Sequence, residues 1–583
     1  MSSGTDGFDL TVDFLIAGSG AGGLTAALAA NARGLRTLVV EKAAKFGGTS
    51  ALSGGGMWVP GAPAQRRAGY VMELEPVVEY LKTITKGVVT EERLRAFLYT
   101  APEMMAFLEN LGPHVRFVWK PHHPDYYPEL PGATKIGSLI NVEPIDLRRL
   151  GPDEDLLLPP LAIAPRGVWI GPNELPHFYR FRQTWKGRAM FVKLVWRMIR
   201  ARLTGERISV GGQALMARLM LAFRDANLDL WLESPIVELV TNDAGDVIGA
   251  VVERQGKKVR VATTRGVLIA TGGFERNQAM RDKYQPEGRA DLTLGNPNNT
   301  GDGIRVAEAV GAELRTMDSA WWYPAVAWAP GRIQFSLNER MLPSQLIVNG
   351  AGKRYINEPT PYSDFGFAMI AGQRQGVSHI PSWLIMDDWC WRRYVVFGHL
   401  PLPKIPFSPA PTGRKLPAFW RESGSVFMAD TIPDLARKIG VPADALVATV
   451  ERFNQMASAG VDEDFHRGES AYDQTHADIT LPHPNLVPLR RPPYYAFKLI
   501  LSDLGTNGGI ATDEHARALR PDGSVINGLY ATGNVSSAVM GRSYAGAGAT
   551  ISPAMTFGYI AANFAADHPV LDTDSTTAGN NRV

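Results

Sequence analysis

One run near the start of the chain constrains its fold more than any other: VDFLIAGSGAGGLTAALAANARGLRTLVVEK. An apolar strand, Val12 to Ala17, leads into Gly18-x-Gly20-x-x-Gly23. Next come a helix of small residues, Leu24 to Ala32, and a second apolar strand, Thr37 to Val40, ending at Glu41. Strand, glycine turn, helix and acid-terminated strand form the dinucleotide-binding fingerprint. Gly18 permits the tight turn, Gly20 lets a pyrophosphate approach the backbone, and Gly23 lets helix and strand pack closely. The phosphate then sits at a helix N-terminus, where free amides and the helix dipole favour anions. Glu41 can bind a ribose hydroxyl, which favours an adenosine ribose without a 2′-phosphate.

A nicotinamide enzyme with one such site has no need of further glycine-rich segments, yet this chain has them. After Glu41 and Lys42 comes KFGGTSALSGGGMW, a second small-residue segment able to wrap a diphosphate and the middle of a flavin. Two later strands end in Ala-Thr-Gly, GVLIATGGF up to Phe274 and GLYATGN up to Asn534. The cofactor read from this pattern is FAD. No histidine lies around GGTS, so the binding is expected to be non-covalent. The candidate FAD contacts are Gly18, Gly20, Ala21, Gly23, Glu41 and Lys42, then Gly48, Thr49, Ser50, Ser53, Gly54 and Gly55. Val237, where LWLESPIVELV crosses near the adenine end, is another. Thr271, Gly272, Asp302, Gly533, Asn534, Ala549 and Ile551 complete the set.

The expected fold class is α/β, a Rossmann-like FAD-binding domain with an inserted α+β substrate (catalytic) domain. Residues 1–315 form the first part of the FAD domain. Residues 316–497, richer in Trp, Pro and Tyr, form the insert, with strands QLIVN and SWLIMD and a helix in PADALVATVERFNQMASAG. Residues 498–583 return to the FAD domain and end in a tail, DTDSTTAGNNRV, expected to be disordered. A net charge of +2 does not argue for nucleic acid, and the single cysteine, Cys390, excludes a disulfide within the chain and a cysteine metal cluster. His466, His476 and His483 are expected at the surface, and no metal site is predicted. The N-terminal MSSGTDGFDLT does not read as a signal peptide, so the expected location is the cytoplasm.

The set GSGAGG with Glu41, GGTS with SGG, ATGGF, NTGDG (Asn299 to Gly303) and ATGN resembles the fumarate reductase/succinate dehydrogenase flavoprotein superfamily. Within it, PDYYPELPG (Pro124 to Gly132), RYINEPTPYSDFG (Arg354 to Gly366), DLGTNGG (Asp503 to Gly509) and GRSYAGAGATISPAMTFGYIAA resemble 3-ketosteroid dehydrogenases over most of the chain. The resemblance implies that Tyr544 O–H and Gly548 N–H polarise the C3 ketone of a steroid. It implies that Tyr362 takes a C2 proton with help from Tyr126, although the neighbouring Tyr127 competes for that second place. The C1 hydride passes to the flavin, and an external electron acceptor restores it. The three tyrosines and the YxGxG terminus favour the enzymes that desaturate C1–C2. Alternatives on the same scaffold are a Δ4-(5α)-dehydrogenase or another ketone desaturase. A non-catalytic flavoprotein that binds steroid or membrane is a further alternative. A fumarate reductase would need Arg and His groups to clamp a dicarboxylate, whereas the substrate region is aromatic.

The segment 150–207 is less typical of that family. Its part RFRQTWKGRAMFVKLVWRMIRARLTGER carries nine Lys/Arg and one Glu. Phe191, Leu194, Val195, Met198 and Ile199 recur at helical spacing with Trp196 beside them. This pattern predicts an interfacial helix in peripheral contact with an anionic membrane.

Overall fold

The computed structural model describes residues 7–161, 165–405, 408 and 410–571, so the expected tail at Asp572 to Val583 lies outside the described residues. In chain order, β1 (Leu10–Ala17) leads into α1 (Ala21–Ala32) and β2 (Thr37–Val40). The basic segment supplies α2 (Trp185–Thr204), and β3 (Asp229–Trp231) comes after it. A hairpin of β4 (Val247–Arg254) and β5 (Lys257–Ile269) returns to the first sheet. The substrate region contributes β6 (Ala320–Ala329), β7 (Arg332–Phe335), β8 (Gln345–Val348), α3 (Tyr362–Arg374), β9 (Ser382–Asp387) and β10 (Val426–Ala429). After α4 (Ala443–Ala459) and β11 (Tyr494–Thr506), the chain closes on β12 (Val525–Ala531) and α5 (Ile551–Asp567).

The strands β12, β5, β1, β2 and β3 lie side by side and run parallel. Where both faces are covered, the strands are apolar rather than alternating, as in β2, where all of Thr37 to Val40 is buried. Ala17, Val40, Ile269 and Ala531 therefore end on one edge of the sheet, the edge where ligands bind in open α/β sheets. The protein is thus Rossmann-like α/β.

The second sheet, in the order β7, β6, β11, β9, β8 with β10 beside β11, is antiparallel. The boundary expected at residue 497 falls inside β11. That strand cannot be interrupted there, because it pairs with β9 and β10 through Phe497 and with β6 through Ile500 to Thr506.

The loop between β8 and α3 carries the RYINEPTPY motif and is held by a buried ion network. Arg354 Nε donates to Glu358 at 2.7 Å and its Nη2 to Asp462 at 2.6 Å. Arg467 Nη1 donates to the other Glu358 oxygen at 3.1 Å. Burial alone would push Glu358 up, but the two guanidinium groups outweigh it and hold the carboxyl below its usual range. Glu358→Gln leaves two cations short of one charge, and the expected loss of stability is about 3–5 kcal/mol, read by denaturant unfolding. The sign follows from the lowered pKa. The contribution of Glu358 is present above the ordinary carboxylate pKa and fades as pH falls through its lower folded value, so the variant approaches wild type in acid.

Candidate active site

The glycine turn between β1 and α1 is as tight as its sequence requires. Gly18 has φ +114°, and a Cβ there would overlap the Ala270 carbonyl. A Cβ on Gly23 would overlap the Gly18 carbonyl. Gly20 has open space, its nearest neighbour being Ser50 Oγ at 3.6 Å. Glu41 is fixed by three donors: Ser19 N at 3.0 Å, Ser19 Oγ at 2.6 Å and Ala43 N at 2.9 Å. Lys42 Nζ pairs with Asp302 at 2.5 Å and donates to Thr300 at 2.7 Å. Thr49 Oγ1 accepts from Asn296 N at 3.2 Å and Asn299 Nδ2 at 3.1 Å, which ties the GGTS segment to NTGDG.

These groups line one end of a single cavity of about 1270 Å³. Gly18, Gly20, Ala21, Glu41, Lys42, Gly48, Thr49, Ser50, Ser53, Gly54, Gly55, Thr271, Gly272, Asp302, Gly533, Asn534 and Ile551 are on its wall. Gly23 and Ala549 lie behind the wall as packing positions. Val237 turns outward, its side chain 37% exposed, while Ser234, Pro235 and Ile236 do the lining. The strand alternation that turns Ile236 inward sends Val237 to the other face. Thr271 Oγ1 is buried without a partner at this end. An open glycine, a fixed acid at the end of β2 and an unpaired hydroxyl form a cradle that fits FAD.

At the middle of the cavity the tyrosines meet. The ring centroids of Tyr126, Tyr362 and Tyr544 are 5.2 to 5.6 Å apart. Tyr362 is the first residue of α3, directly after Pro361. Tyr126 is brought there by its own backbone: its N–H donates to the Ala545 carbonyl at 3.0 Å, next to Tyr544. Tyr127 faces away and accepts from Ser543 Oγ at 3.1 Å. The two tyrosines that the sequence leaves in competition are therefore separated by the structure. Tyr544 Oη and Thr550 Oγ1 are 2.7 Å apart. Burial raises the Tyr544 pKa, and Thr550, Tyr362 and the backbone N–H of Gly548 pull against it. The Tyr544 hydroxyl and the Gly548 amide thus stand together. Gly548 has φ +96°, and a Cβ there would overlap the backbone at Gly56 and Met57. Burial also pushes Tyr126 and Tyr362 well above the usual phenol range, and for Tyr362 the phenols of Tyr126 and Tyr544 add to it.

Two residues at this centre carry no sequence motif. Tyr472 packs on Tyr126 at 4.7 Å between centroids. Arg340 is wholly buried and donates to the carbonyls of Ser336, Glu358 and Thr360 at 2.6 to 2.9 Å. Its positive charge lies close enough to Tyr472 and Tyr126 to couple with them. Nothing in the local sequence around Arg340 marks it, since its partners come from other segments.

The rest of the wall is largely apolar, and Lys120, His123, Tyr179, Asn338, Glu339 and His476 set polar groups into it. The expectation that His476 lies at the surface is corrected: it is buried, with Tyr179 against its ring at 5.8 Å. His466 and His483 are exposed. No group of metal-ligating side chains occurs among the described residues.

Residues 13–551 match the FAD binding domain family. The 3-oxosteroid 1-dehydrogenase of Mycolicibacterium smegmatis is 40% identical, over 98% of this chain and 98% of that one. The 3-oxosteroid 1-dehydrogenase of Mycobacterium tuberculosis is 41% identical over 95% and 98%. Among solved structures, the 3-ketosteroid delta1-dehydrogenase from Sterolibacterium denitrificans in complex with 1,4-androstadiene-3,17-dione superposes with a TM-score of 0.85. It is 36% identical and covers 96% of this chain and 99% of its own.

The cradle makes a direct test. Gly23→Val forces α1 away from β1 and spoils the turn that faces the pyrophosphate. The expected outcome is a protein that loses its flavin on gel filtration, measured by the ratio of flavin to protein absorbance; full retention would show that the cradle lies elsewhere.

Proposed function

The chain belongs to the FAD binding domain family, and from that membership and its tyrosine-lined cavity we propose that it is an FAD-dependent 3-ketosteroid Δ1-dehydrogenase. It removes one hydrogen each from C1 and C2 of a 3-keto steroid. The observation that carries this reading is the meeting of a phenol, a backbone amide and two further phenols in one buried space beside the cradle.

When bound, FAD supplies the hydride acceptor for C1. The chain's own groups do the rest. Tyr544 O–H and Gly548 N–H donate to the C3 ketone oxygen and stabilise the negative charge that develops on it, an effect worth about 2.7–4 kcal/mol for one such donor. That polarisation acidifies the C2 hydrogen. Tyr362, in its phenolate form, receives the C2 proton on Oη and becomes the neutral phenol. Tyr126 supports it by hydrogen bonding, and Tyr472 and Arg340 place a dipole and a positive charge behind Tyr126. The buried walls exclude water from the enolate. Turnover requires an external electron acceptor.

The first experiment is anaerobic addition of a 3-keto-4-ene steroid to the purified protein. Bleaching of the flavin with loss of two hydrogens, and an NMR-assigned alkene at C1–C2, are expected. An alkene formed only at C4–C5 from a 5α-saturated ketosteroid would reassign the reaction. Tyr362→Phe should lower kcat about 10²–10⁴-fold with the flavin spectrum intact, and near-normal turnover would remove Tyr362 from its role. Because burial holds the Tyr362 pKa above the ordinary phenol value, the fraction ready to take a proton grows with pH. The rate of the wild type is expected to climb from about pH 7 to about pH 9, below the ordinary phenol pKa, and a flat profile would speak against a phenol base.

The basic helix adds a second part to this reading. Leu194 of α2 is buried, and Phe191, Leu194, Val195 and Met198 line the cavity mouth. The opposite face exposes Trp185, Val192, Trp196, Ile199 and Leu203, 46 to 80% accessible, in one stripe. Lys186, Lys193 and Arg200 flank it on one side and Arg188 and Arg202 on the other. An apolar stripe between two rows of cations suits an anionic bilayer surface, with the steroid entering from the lipid. No helix among the described residues is long and apolar enough to cross a membrane. Flotation with phosphatidylglycerol vesicles is expected for the wild type and lost in Val192→Glu/Trp196→Glu. Equal flotation of the two would refute the contact.

A further inference from the structure

Resting on the steroid reading, we propose that the far end of the cavity is an anion subsite centred on Lys120. The preferred substrates are then 3-keto steroids that carry a carboxylate on the side chain remote from the ketone.

Lys120 lines the cavity and is only 8% exposed. Among the described residues no carboxylate and no carbonyl accepts from its Nζ. The internal residues outside the description, 162–164, 406, 407 and 409, contain no acid. The other buried cations differ. Arg281 pairs with Asp503, Arg354 with Glu358 and Asp462, and Arg467 with Glu358. Arg93 and Arg340 donate to main-chain carbonyls. Burial lowers the Lys120 pKa to about 8, so most of the amine is charged at neutral pH and faces the cavity unpaired.

Two imidazoles stand near it. The rings of His123 and His476 lie 6.2 Å apart. Burial drives both toward the neutral form, and the Lys120 charge adds to this. Each neutral ring offers one N–H. Arg180 stands behind them, its guanidinium on the Ala477 carbonyl at 3.1 Å. The one acid on this wall, Glu339, accepts from Phe397 N at 2.7 Å, and burial raises its pKa to about 7. Asp125 is taken by Trp58 Nε1 at 2.8 Å and Thr134 N at 2.9 Å. Neither acid is paired with Lys120.

The spacing suits a fused-ring substrate. Trp58 pairs with Leu139, and Lys120 N donates to the Leu139 carbonyl on its other side. Lys120 therefore stands two strand spacings, roughly 10 Å, from the strand that begins at Met57. The Gly56–Met57 backbone is what Gly548 abuts. The backbone at Lys120 thus stands from the backbone beside Gly548 by a spacing comparable with a four-ring nucleus rather than with one ring. A carboxylate placed there gains a charge-assisted hydrogen bond. A neutral side chain leaves the ammonium desolvated and unpaired.

The test uses the FAD-loaded protein and a matched pair, a 3-keto steroid with a short side-chain carboxylate and its methyl ester. Calorimetry with the 1,4-dien-3-one forms reads binding without turnover. The acid is expected to bind at least about tenfold more tightly than the ester, a preference that Lys120→Met erases and Lys120→Arg keeps. With the 4-en-3-one forms, the ratio of kcat/KM for acid over ester should show the same pattern, through KM rather than kcat. Equal binding of acid and ester by the wild type, or a preference that survives Lys120→Met, overturns the subsite while leaving the dehydrogenase reading standing. Failure of the protein to desaturate either compound removes that reading and this proposal with it.

Discussion

Two helices from opposite ends of the chain touch backbone to backbone, and the cavity depends on that contact. A Cβ on Gly22 of α1 would stand 2.7 Å from the Ala554 carbonyl of α5, and one on Gly558 would stand 2.5 Å from the Gly22 carbonyl. Thr532, at the end of β12, locks the Ala554 carbonyl with a 2.7 Å hydrogen bond. Side chains at these glycines would drive the helices apart. With them absent, the N-terminus of α1 and the N-terminus of α5 open into one space. The first presents its amides where a pyrophosphate is expected. The second starts after Thr550, whose hydroxyl is 2.7 Å from Tyr544 Oη, and comes directly after the loop with Tyr544 and Gly548. The nucleotide end and the chemical end are joined by packing, not by a linker.

The choice of phenols at the centre follows from burial. A carboxylate enclosed on all sides by aromatic rings would either remain protonated or cost several kcal/mol to keep charged. A tyrosine is neutral at rest, so an apolar substrate can pass it without meeting a charge. The difficulty is then shifted to forming the phenolate before it takes a proton, because burial works against that charge. The protein answers with position. Tyr362 has two other phenols within 5.6 Å, and Arg340, held by three carbonyls, keeps a fixed positive charge behind Tyr126 and Tyr472. Preorganised charge of this kind needs no rearrangement during the reaction.

Much of this was legible in the chain. The β1–α1–β2 unit has both of its periodicities and its glycines in one continuous stretch, so local sequence specifies it. The Ala-Thr-Gly strand ends, the return of β5 to the sheet and the final helix could be read in the same way. The contents of the far wall could not. His476 sits in the polar run DQTHADIT, which reads as solvent-facing; Tyr179, nearly three hundred residues earlier, buries it. Arg340 and Tyr472 have no neighbours in sequence that hint at the tyrosine cluster. Val237 shows the opposite limit. A strand can be placed near a ligand from its pattern while the face of one residue turns on a register that the pattern leaves open.

The contrast among buried cations is the sharpest guide to what the cavity accepts. Arg354 and Arg467 share Glu358 and support the loop that presents Tyr362, so their charges belong to the scaffold. Arg340 lacks a carboxylate, yet carbonyl oxygens take its protons and hold it in place. Among the described residues Lys120 has neither kind of acceptor, although an acid, Glu339, lines the same cavity. An uncompensated buried charge weakens the fold by an amount comparable with a large fraction of net stability. A scaffold that gives its other buried cations carboxylate or carbonyl acceptors and leaves this one facing the cavity has an incomplete ion pair at that point. On the proposed reading, that partner comes with the ligand. On the proposed reading the cavity has two poles, donors for a ketone at Tyr544 and Gly548 and a cation for an anion at Lys120. A molecule that meets both is oriented before any proton moves.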